Sequence, residues 1–400
     1  MKKNLIKWMI LFSIYILVFL LNINFDFGIT NSQFYIFTIS FAVIAFFGML
    51  YLTNRRLKYE KQEFKDAIWN SNKKILVLLV EKNENKTIIK SVNHYLKFPD
   101  NVRTIVYDDS SDDGTFEELK KIESENPDKL IVKTLKKTDK VLHSKGHAIE
   151  DMLKDSDADF YLVNDADTLV DFDGLKNMIY YMDKNNIDVV HTSRRNWNTG
   201  DSDNILADTE EMMMTLITVL KFSYWNFTGS GYVLTKKAAK KIEFGKYTPG
   251  DDTEVGRILR KNKCKIEFLL SVNAYEKAPT SYLGLFKQRS KWYKNTVHQF
   301  IEKELFTIIF LTFFASNVFF FFVNPLSIAN MIFSIFMILL FSAAFSCNFL
   351  IAQRKFLKSF LVSVASALSY WVNISITFTY HLLTFPFKRK KLDFGKTVYR

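Results

Sequence analysis

"KILVLLVEKNENKTIIKSVNHYL", residues 74–96, joins two periodicities through a polar hinge. Ile75 to Val80 is an unbroken apolar run bounded by charge, the pattern of a strand buried on both faces. Beyond Asn83 the spacing changes, and Ile88, Val92 and Leu96 recur at helical intervals. The same rhythm repeats downstream. VRTIVYDDSSDDGT (102–115) predicts a strand and an acidic turn, and FEELKKIESE (116–125) a helix. LIVKTL (130–135) predicts a strand, GHAIEDMLKD (146–155) a helix, and DFYLVNDADT (159–168) a fourth strand. Strand–helix alternation of this kind makes an α/β sheet covered on both faces, with ligands off the carboxyl ends of the strands. Glu84, Asp108, Asp109, Asp165 and Asp167 all read as falling at such ends, so they are expected to converge on one cleft.

Outside this domain the composition is different. The chain has 400 residues, of which 48% are hydrophobic and 39 are Phe, and the apolar residues are unevenly spread. Trp8–Asn24, Gly28–Thr53, Leu305–Gln353 and Ser359–Phe387 carry no charge. A bilayer core needs about 20 apolar residues per helix. The first two stretches fit one span each, in preference to a signal peptide, because no small-residue cleavage site follows the first. The third fits two spans, divided near Asn324–Pro325, and the fourth lies between one span and two. Lys2, Lys3 and Lys7 precede the first span, and NRRLKYEK (54–61) follows the second, which puts the polar region on the cytoplasmic side. QRKFLK (353–358) is expected there too. The basic tail KRKK (388–391) agrees only if the last stretch is a kinked or re-entrant pair; otherwise the rule fails there.

The net charge of +12 matches juxtamembrane Lys and Arg facing anionic lipids and anionic substrates better than nucleic acid. Two cysteines, Cys264 and Cys347, give no disulfide framework and no thiolate metal centre. RRNW (194–197) is expected on a surface loop, with an acceptor contact as the alternative. Asn317, Asn330, Asn348 and Asn373 either bond between helices or line a path for the product.

Asp165-Ala166-Asp167 places two carboxylates two residues apart at the end of a buried strand. Such crowding is costly unless positive charge relieves it. Hard oxygen donors at this spacing suit Mg²⁺ or Mn²⁺ shared with substrate phosphates.

The ordered series YDDSSDDGT, NDADT, GSGYVL, GDDTE and QRSKW resembles the family 2 inverting glycosyltransferases, and most nearly the membrane-embedded processive polysaccharide synthases of hyaluronan, cellulose, chitin and poly-N-acetylglucosamine. The resemblance spans about residues 74–300 and implies an α/β fold, a GT-A type nucleotide-sugar-binding domain flanked by α-helical transmembrane segments. It divides the chain into two N-terminal transmembrane helices (1–53), a cytoplasmic glycosyltransferase domain (54–280), an amphipathic interfacial helix (281–304), a C-terminal transmembrane bundle (305–387) and a basic tail (388–400).

The resemblance also implies roles. Asp108 and Asp109 match the carboxylates that hold uracil and ribose, with Glu84 near the nucleoside; here VEKNEN replaces the family's Pro-x-x-Asn-Glu. Asp165 and Asp167 match the metal and diphosphate motif. Gly229, Ser230 and Gly231 match an acceptor loop, and Asp252 the catalytic base, in preference to Asp251. Gln288-x-x-Lys291-Trp292 matches a Gln-x-x-Arg-Trp motif, with Gln288 and Trp292 on the acceptor and Arg289 and Lys291 on the diphosphate. Lys291 in place of Arg exchanges a planar fork for a point charge. Trp292 also suits a headgroup anchor.

The implied reaction is a single inverting displacement. Mg²⁺ or Mn²⁺ with Arg289 and Lys291 would stabilise the departing diphosphate, and Asp252 would deprotonate the acceptor hydroxyl. The implied substrates are a UDP-sugar and either a growing polysaccharide, with export, or a lipid that receives one sugar. A non-catalytic transporter or scaffold is the third reading.

Overall fold

A computed structural model describes residues 31–134, 145–196, 227, 229–244, 251–277, 281, 283–284, 287–288 and 328–373. The chain divides into two units. One comprises Arg55–Gly200 and Ile217–Lys277, the other Met1–Asn54, Asp201–Leu216 and Ala278–Arg400.

The first unit is built on β1 (Ile75–Glu81), β2 (Val102–Asp108), β3 (Leu130–Thr134), β4 (Phe160–Asp165), β5 (Leu169–Val170), β6 (Val189–Asn196), β7 (Tyr232–Thr235) and β8 (Ile266–Glu276). They form one mixed sheet in the order β3-β2-β1-β4-β7-β6-β8-β5. β1 runs parallel to both β2 and β4, and β2 is parallel to β3. β7 enters antiparallel between β4 and β6. The helices are α2 (Asn85–Tyr95), α3 (Thr115–Glu125), α4 (Lys145–Lys154), α5 (Phe172–Asn185), α6 (Lys236–Ala239) and α7 (Asp251–Lys261); α1 (Asn31–Glu63) enters from the other unit. All four predicted strands and all three predicted helices of the 74–168 segment are present.

Two apolar layers explain why β1 shows no polar alternation. Ile75, Val77 and Leu79 join Ile88, Val92 and Leu119 on one face of the sheet. Leu76 and Leu78 join Ile149, Met152, Val255 and Leu259 on the other. A strand covered on both faces needs apolar side chains at every position. The last turn of α1 is tied to β8 by charge. Glu60 is buried and accepts hydrogen bonds from Ser271 N and Oγ, both at 2.8 Å, while Arg56 donates to the Phe268 carbonyl.

In the second unit, α8 (Ile328–Ser346) continues through a π-helical turn, Cys347–Ile351, and the chain reverses before α9 (Phe356–Asn373). This corner lies at the expected QRKFLK segment. Asn348 Nδ2 donates to Ser363 Oγ at 3.1 Å, an interhelical bond, and Arg354 donates to Asn348 Oδ1. Of the two readings for the asparagines of the apolar segments, the bonded one is seen at Asn348. Among the described residues one helical stretch, Ile36–Asp66, is long and apolar enough to cross a membrane; Met337–Ile351 and Phe356–Leu368 are shorter apolar helices. The first expected span, the division near Asn324–Pro325 and the tail lie outside the described residues.

Candidate active site

The candidate site begins at two adjacent strand ends. Glu81 closes β1, Asp108 closes β2, and the two are register partners. The carboxyl group at the end of β1 is thus Glu81; Glu84 stands in the loop beyond it, exposed, at the start of α2. The loops after β1 and β2 are laced together. Ser111 Oγ donates to Glu81 Oε1 at 3.1 Å and accepts from Asn83 N at 2.8 Å. Ser111 N bonds the Asp108 carboxylate at 3.1 and 3.2 Å. Asn83 also exchanges side-chain and backbone bonds with Asp112. Asn83 and Ser110 hold left-handed backbone, with φ of 51° and 56°, and asparagine is among the residues that tolerate it best. At the rim Lys82 Nζ reaches Asp109 Oδ2 at 2.9 Å. Asp113 accepts from Thr115 N at 3.2 Å, and Asp171 caps α5 through Gly174 N, so these two acids serve helix starts.

Burial, then a hydrogen bond and repulsion from Asp108, push the Glu81 carboxyl up to about 9. Burial opposes Asp108 as well, but bonds from Glu81 and Ser111 outweigh it and hold Asp108 below the usual carboxylate range.

The second half of the site lies off β4. Asp165 is the last residue of that strand, and Asp167 follows in a tight turn closed by Thr168 N to Asp165 O at 3.1 Å. Lys145, the first residue of α4, donates to Asp165 Oδ1 and to the Gly229 carbonyl at 2.9 Å. Asp165 N donates to Ser230 Oγ at 3.0 Å. Gly231 N bonds Asn164 Oδ1 at 2.9 Å. Gly231 has φ of +74°, and a Cβ there would lie 2.5 Å from Thr192 Oγ1 and 2.9 Å from Ala274 Cβ, so only glycine fits.

Asp252 stands in the first turn of α7. A Cβ on Gly229 would lie 3.2 Å from Asp252 Cβ and 3.6 Å from Lys145 Nζ, so the loop, the ammonium and this carboxylate share one space. α7 approaches closely because Gly256 faces Phe227, where a Cβ would come within 2.5 Å of the Phe227 Cβ.

Arg194 completes the arrangement and corrects the surface-loop expectation for RRNW. Residues 194–196 belong to β6, and Arg194 is only 6% exposed. A guanidinium can be held there because Glu276, beside it on β8, forms an ion pair with Nη1. Nη2 donates to Ser230 O at 3.3 Å. Burial opposes its charge, but the carboxylates of Glu276, Asp165, Asp167 and Asp252 more than restore it. Four carboxylates from three separate segments thus act on one guanidinium.

Asp167 is pushed up to about 6, first by burial and then by the Asp165 charge, while Arg194 and Lys145 pull it down. Among the described residues no three His, Cys, Asp or Glu side chains gather as a protein-only metal cage would. Asp165 and Asp167 are two hard oxygen donors whose mutual repulsion a dication would relieve. They fit a Mg²⁺ or Mn²⁺ that takes its other ligands from phosphate and water.

Gln288 belongs to the other unit, and Arg289, Lys291 and Trp292 lie outside the described residues. Sequence reasoning missed Glu81 and Lys145 as site residues and offered Arg194 only as an alternative acceptor contact. Each carried one weak signal: a charge ending an apolar strand, a Lys opening a helix at the carboxyl edge, and an Arg four residues beyond the Val189–Val190 pair.

Two family models match the chain: "Glycosyl transferase family 2" over residues 77–242 and "Glycosyl transferase family group 2" over residues 162–384. No curated protein matches the sequence. Among solved structures the chain is similar to the mannosyltransferase PcManGT from Pyrobaculum calidifontis, in complex with GDP-Man and Mn²⁺. The identity is 16% and the TM-score 0.52, covering 88% of this chain and 99% of that one. It is also similar to S. aureus TarS 1-349 in complex with UDP-GlcNAc, at 17% identity and TM-score 0.41, covering 81% of this chain and 95% of that one. Glucosyl-3-phosphoglycerate synthase from Mycobacterium tuberculosis, with Mn²⁺, UDP and glucosyl-3-phosphoglycerate, matches at 18% and 0.41, covering 58% and 83%. The likeness to PcManGT shows a common fold, α/β of the GT-A kind. With more than half of its length matched by one model, the chain belongs to glycosyl transferase family group 2, transferases that use nucleotide sugars.

Proposed function

We propose that this protein is a membrane-bound inverting glycosyltransferase that uses a UDP-sugar and a divalent cation to extend a polysaccharide chain. The observation that carries the reading is the convergence of Asp165, Asp167 and Asp252, with Lys145 and Arg194, on the Gly229–Gly231 loop. Cleaving a sugar–diphosphate bond leaves negative charge on the leaving oxygen, so fixed positive groups beside it lower the barrier. Lys145 and Arg194 supply that charge, and Arg194 is held in place by Glu276. Mg²⁺ or Mn²⁺ held by Asp165 and Asp167 would add Lewis-acid stabilisation of the same diphosphate. Gly229, which faces Asp252 and Lys145, lets an acceptor sugar approach the backbone, and Gly231 holds the loop close to Thr192 and Ala274. Asp252 takes the proton from the acceptor hydroxyl as it attacks the anomeric carbon. One displacement inverts that centre, and no carboxylate nucleophile is required.

Membrane attachment is supported by the apolar stretch Ile36–Asp66 and the helical hairpin of α8 and α9. The lysines before residue 8 and Arg55 and Arg56 support a cytoplasmic catalytic domain in the cell membrane. The Gln288-x-x-Lys291-Trp292 segment supports polymer extension. The test is incubation of purified membranes with a panel of labelled UDP-sugars. Cation-dependent UDP release with a ladder or high polymer supports the reading. One discrete glycolipid shows single addition to a lipid, and no release from any donor overturns the enzymatic reading.

A further inference from the structure

We propose that Glu81 is a positioning residue of the donor site, held as a neutral acid that donates a hydrogen bond to Asp108 and so clamps the β1 and β2 loops into one nucleoside cradle. This deepens the reading above and rests on it for the ligand.

The geometry carries the inference. Glu81 and Asp108 are register partners at the ends of adjacent parallel strands, and they are 3% and 1% exposed. Glu81 Oε1 accepts from Ser111 Oγ at 3.1 Å and Oε2 from Glu84 N at 3.4 Å. Asp108 accepts from Ser111 N. The groups around the pair, element by element, contain no cation bonded to it among the described residues. On the β1 loop Lys82 bonds Asp109, and Asn83 bonds Asp112. On β3 Thr134 Oγ1 meets the Asp108 carbonyl. On β4 Asp165, beside Val80 in register, is engaged by Lys145. Two buried carboxyl groups in contact cannot both be charged without a counter-ion, so one retains a proton. The proton sits on Glu81, because the backbone N–H groups of Ser110 and Ser111 hold Asp108 as the anion, while burial pushes Glu81 up to about 9. Ser111 then reads the arrangement from both sides: its hydroxyl donates to Glu81, and its N–H donates to Asp108. Removing the proton would set two charges against each other under the loops that must close on a nucleoside.

The test has two readouts. Difference infrared spectroscopy near neutral pH should show a protonated-carboxyl carbonyl band in the full-length protein that Glu81→Gln removes; absence of such a band overturns the proposal. Calorimetric UDP binding is then followed against pH. In the wild type, affinity should fall about tenfold per pH unit above about 9. Glu81→Gln keeps an N–H donor toward Asp108 and should not show that fall; titration of the nucleotide itself is common to both proteins. Glu81→Ala should raise the donor KM about tenfold with kcat little changed, and Gln should rescue it. Equal pH profiles in wild type and Glu81→Gln overturn the proposal. An intact band with no UDP binding in any protein instead overturns the UDP-donor reading and leaves the shared proton standing.

Discussion

At the ends of β1 and β2, Glu81 and Asp108 meet under two laced loops; one strand along, at the end of β4, Asp165 and Asp167 meet Lys145 and Arg194. Both are carboxyl pairs at the carboxyl edge of a single sheet. The first pair is neutralised internally, by one proton and by hydrogen bonds from Ser111. The second is neutralised by groups brought from α4 and β6. The difference separates a fixed part from a working part. A shared proton between buried acids makes a rigid, nearly neutral floor. Cations at a partly exposed acid pair leave room for exchange, because a dication bound by Asp165 and Asp167 would supply the positive charge that the Lys145 ammonium now brings to Asp165.

Breaking the working side should have the largest effect. Asp252→Asn removes the proposed acceptor of the proton, and turnover should fall about 10²–10⁴-fold with nucleotide binding retained. Single-turnover UDP release measures the first and calorimetry the second; loss of binding instead would place Asp252 in donor recognition. Arg194→Gln removes a buried guanidinium and its ion pair with Glu276, and thermal or denaturant unfolding should show a loss of about 3 kcal/mol.

The two pairs should also differ in their response to pH. Asp167 is pushed up to about 6, and a bound metal competes with its proton. Mn²⁺ affinity should therefore hold above about pH 6 and fall about tenfold per unit below it, as titration by electron paramagnetic resonance would show. Glu81 behaves in the opposite sense. Its folded value, about 9, is above its ordinary 4.5, so the folded state binds more protons than the unfolded state between them. Its contribution to stability is complete at acid pH and is lost as pH rises through that window. The melting temperature of Glu81→Gln should therefore gain on the wild type from pH 5 to pH 9. The smallest effect belongs to the rim. Lys82 is 44% exposed where it pairs with Asp109, and Lys82→Ala should cost no more than about 1 kcal/mol of stability.

Much of this fold was legible before any coordinates. The runs at 75–80 and 160–163 are apolar at every position, and that at 102–107 is broken only by Arg103 and Thr104, because sheet faces on both sides are covered, and a run of that kind is a local signal. Helical spacing at Ile88, Val92 and Leu96 is equally local. Acids that follow such runs must lie at the carboxyl edge, so Asp108, Asp165 and Asp167 could be placed there. Asp252 was placed by resemblance alone, and its approach to Gly229 is a fact of the tertiary structure.

What the chain determined by itself was therefore the alternation of strand and helix, the acidic strand ends and the apolar segments outside the sheet, since each depends on neighbours within a few residues. Only the folded structure decided how the charges are matched. Arg194 looked like a surface residue because its partner, Glu276, is 82 positions away on another strand. Lys145 reaches the carbonyl of Gly229 across 84 positions, and Glu81 is told from Glu84 only by the register that sets it beside Asp108. A buried charge is stable only where its counter-charge or proton is also buried, and which residues meet in that way is fixed by sheet order, which no local pattern encodes.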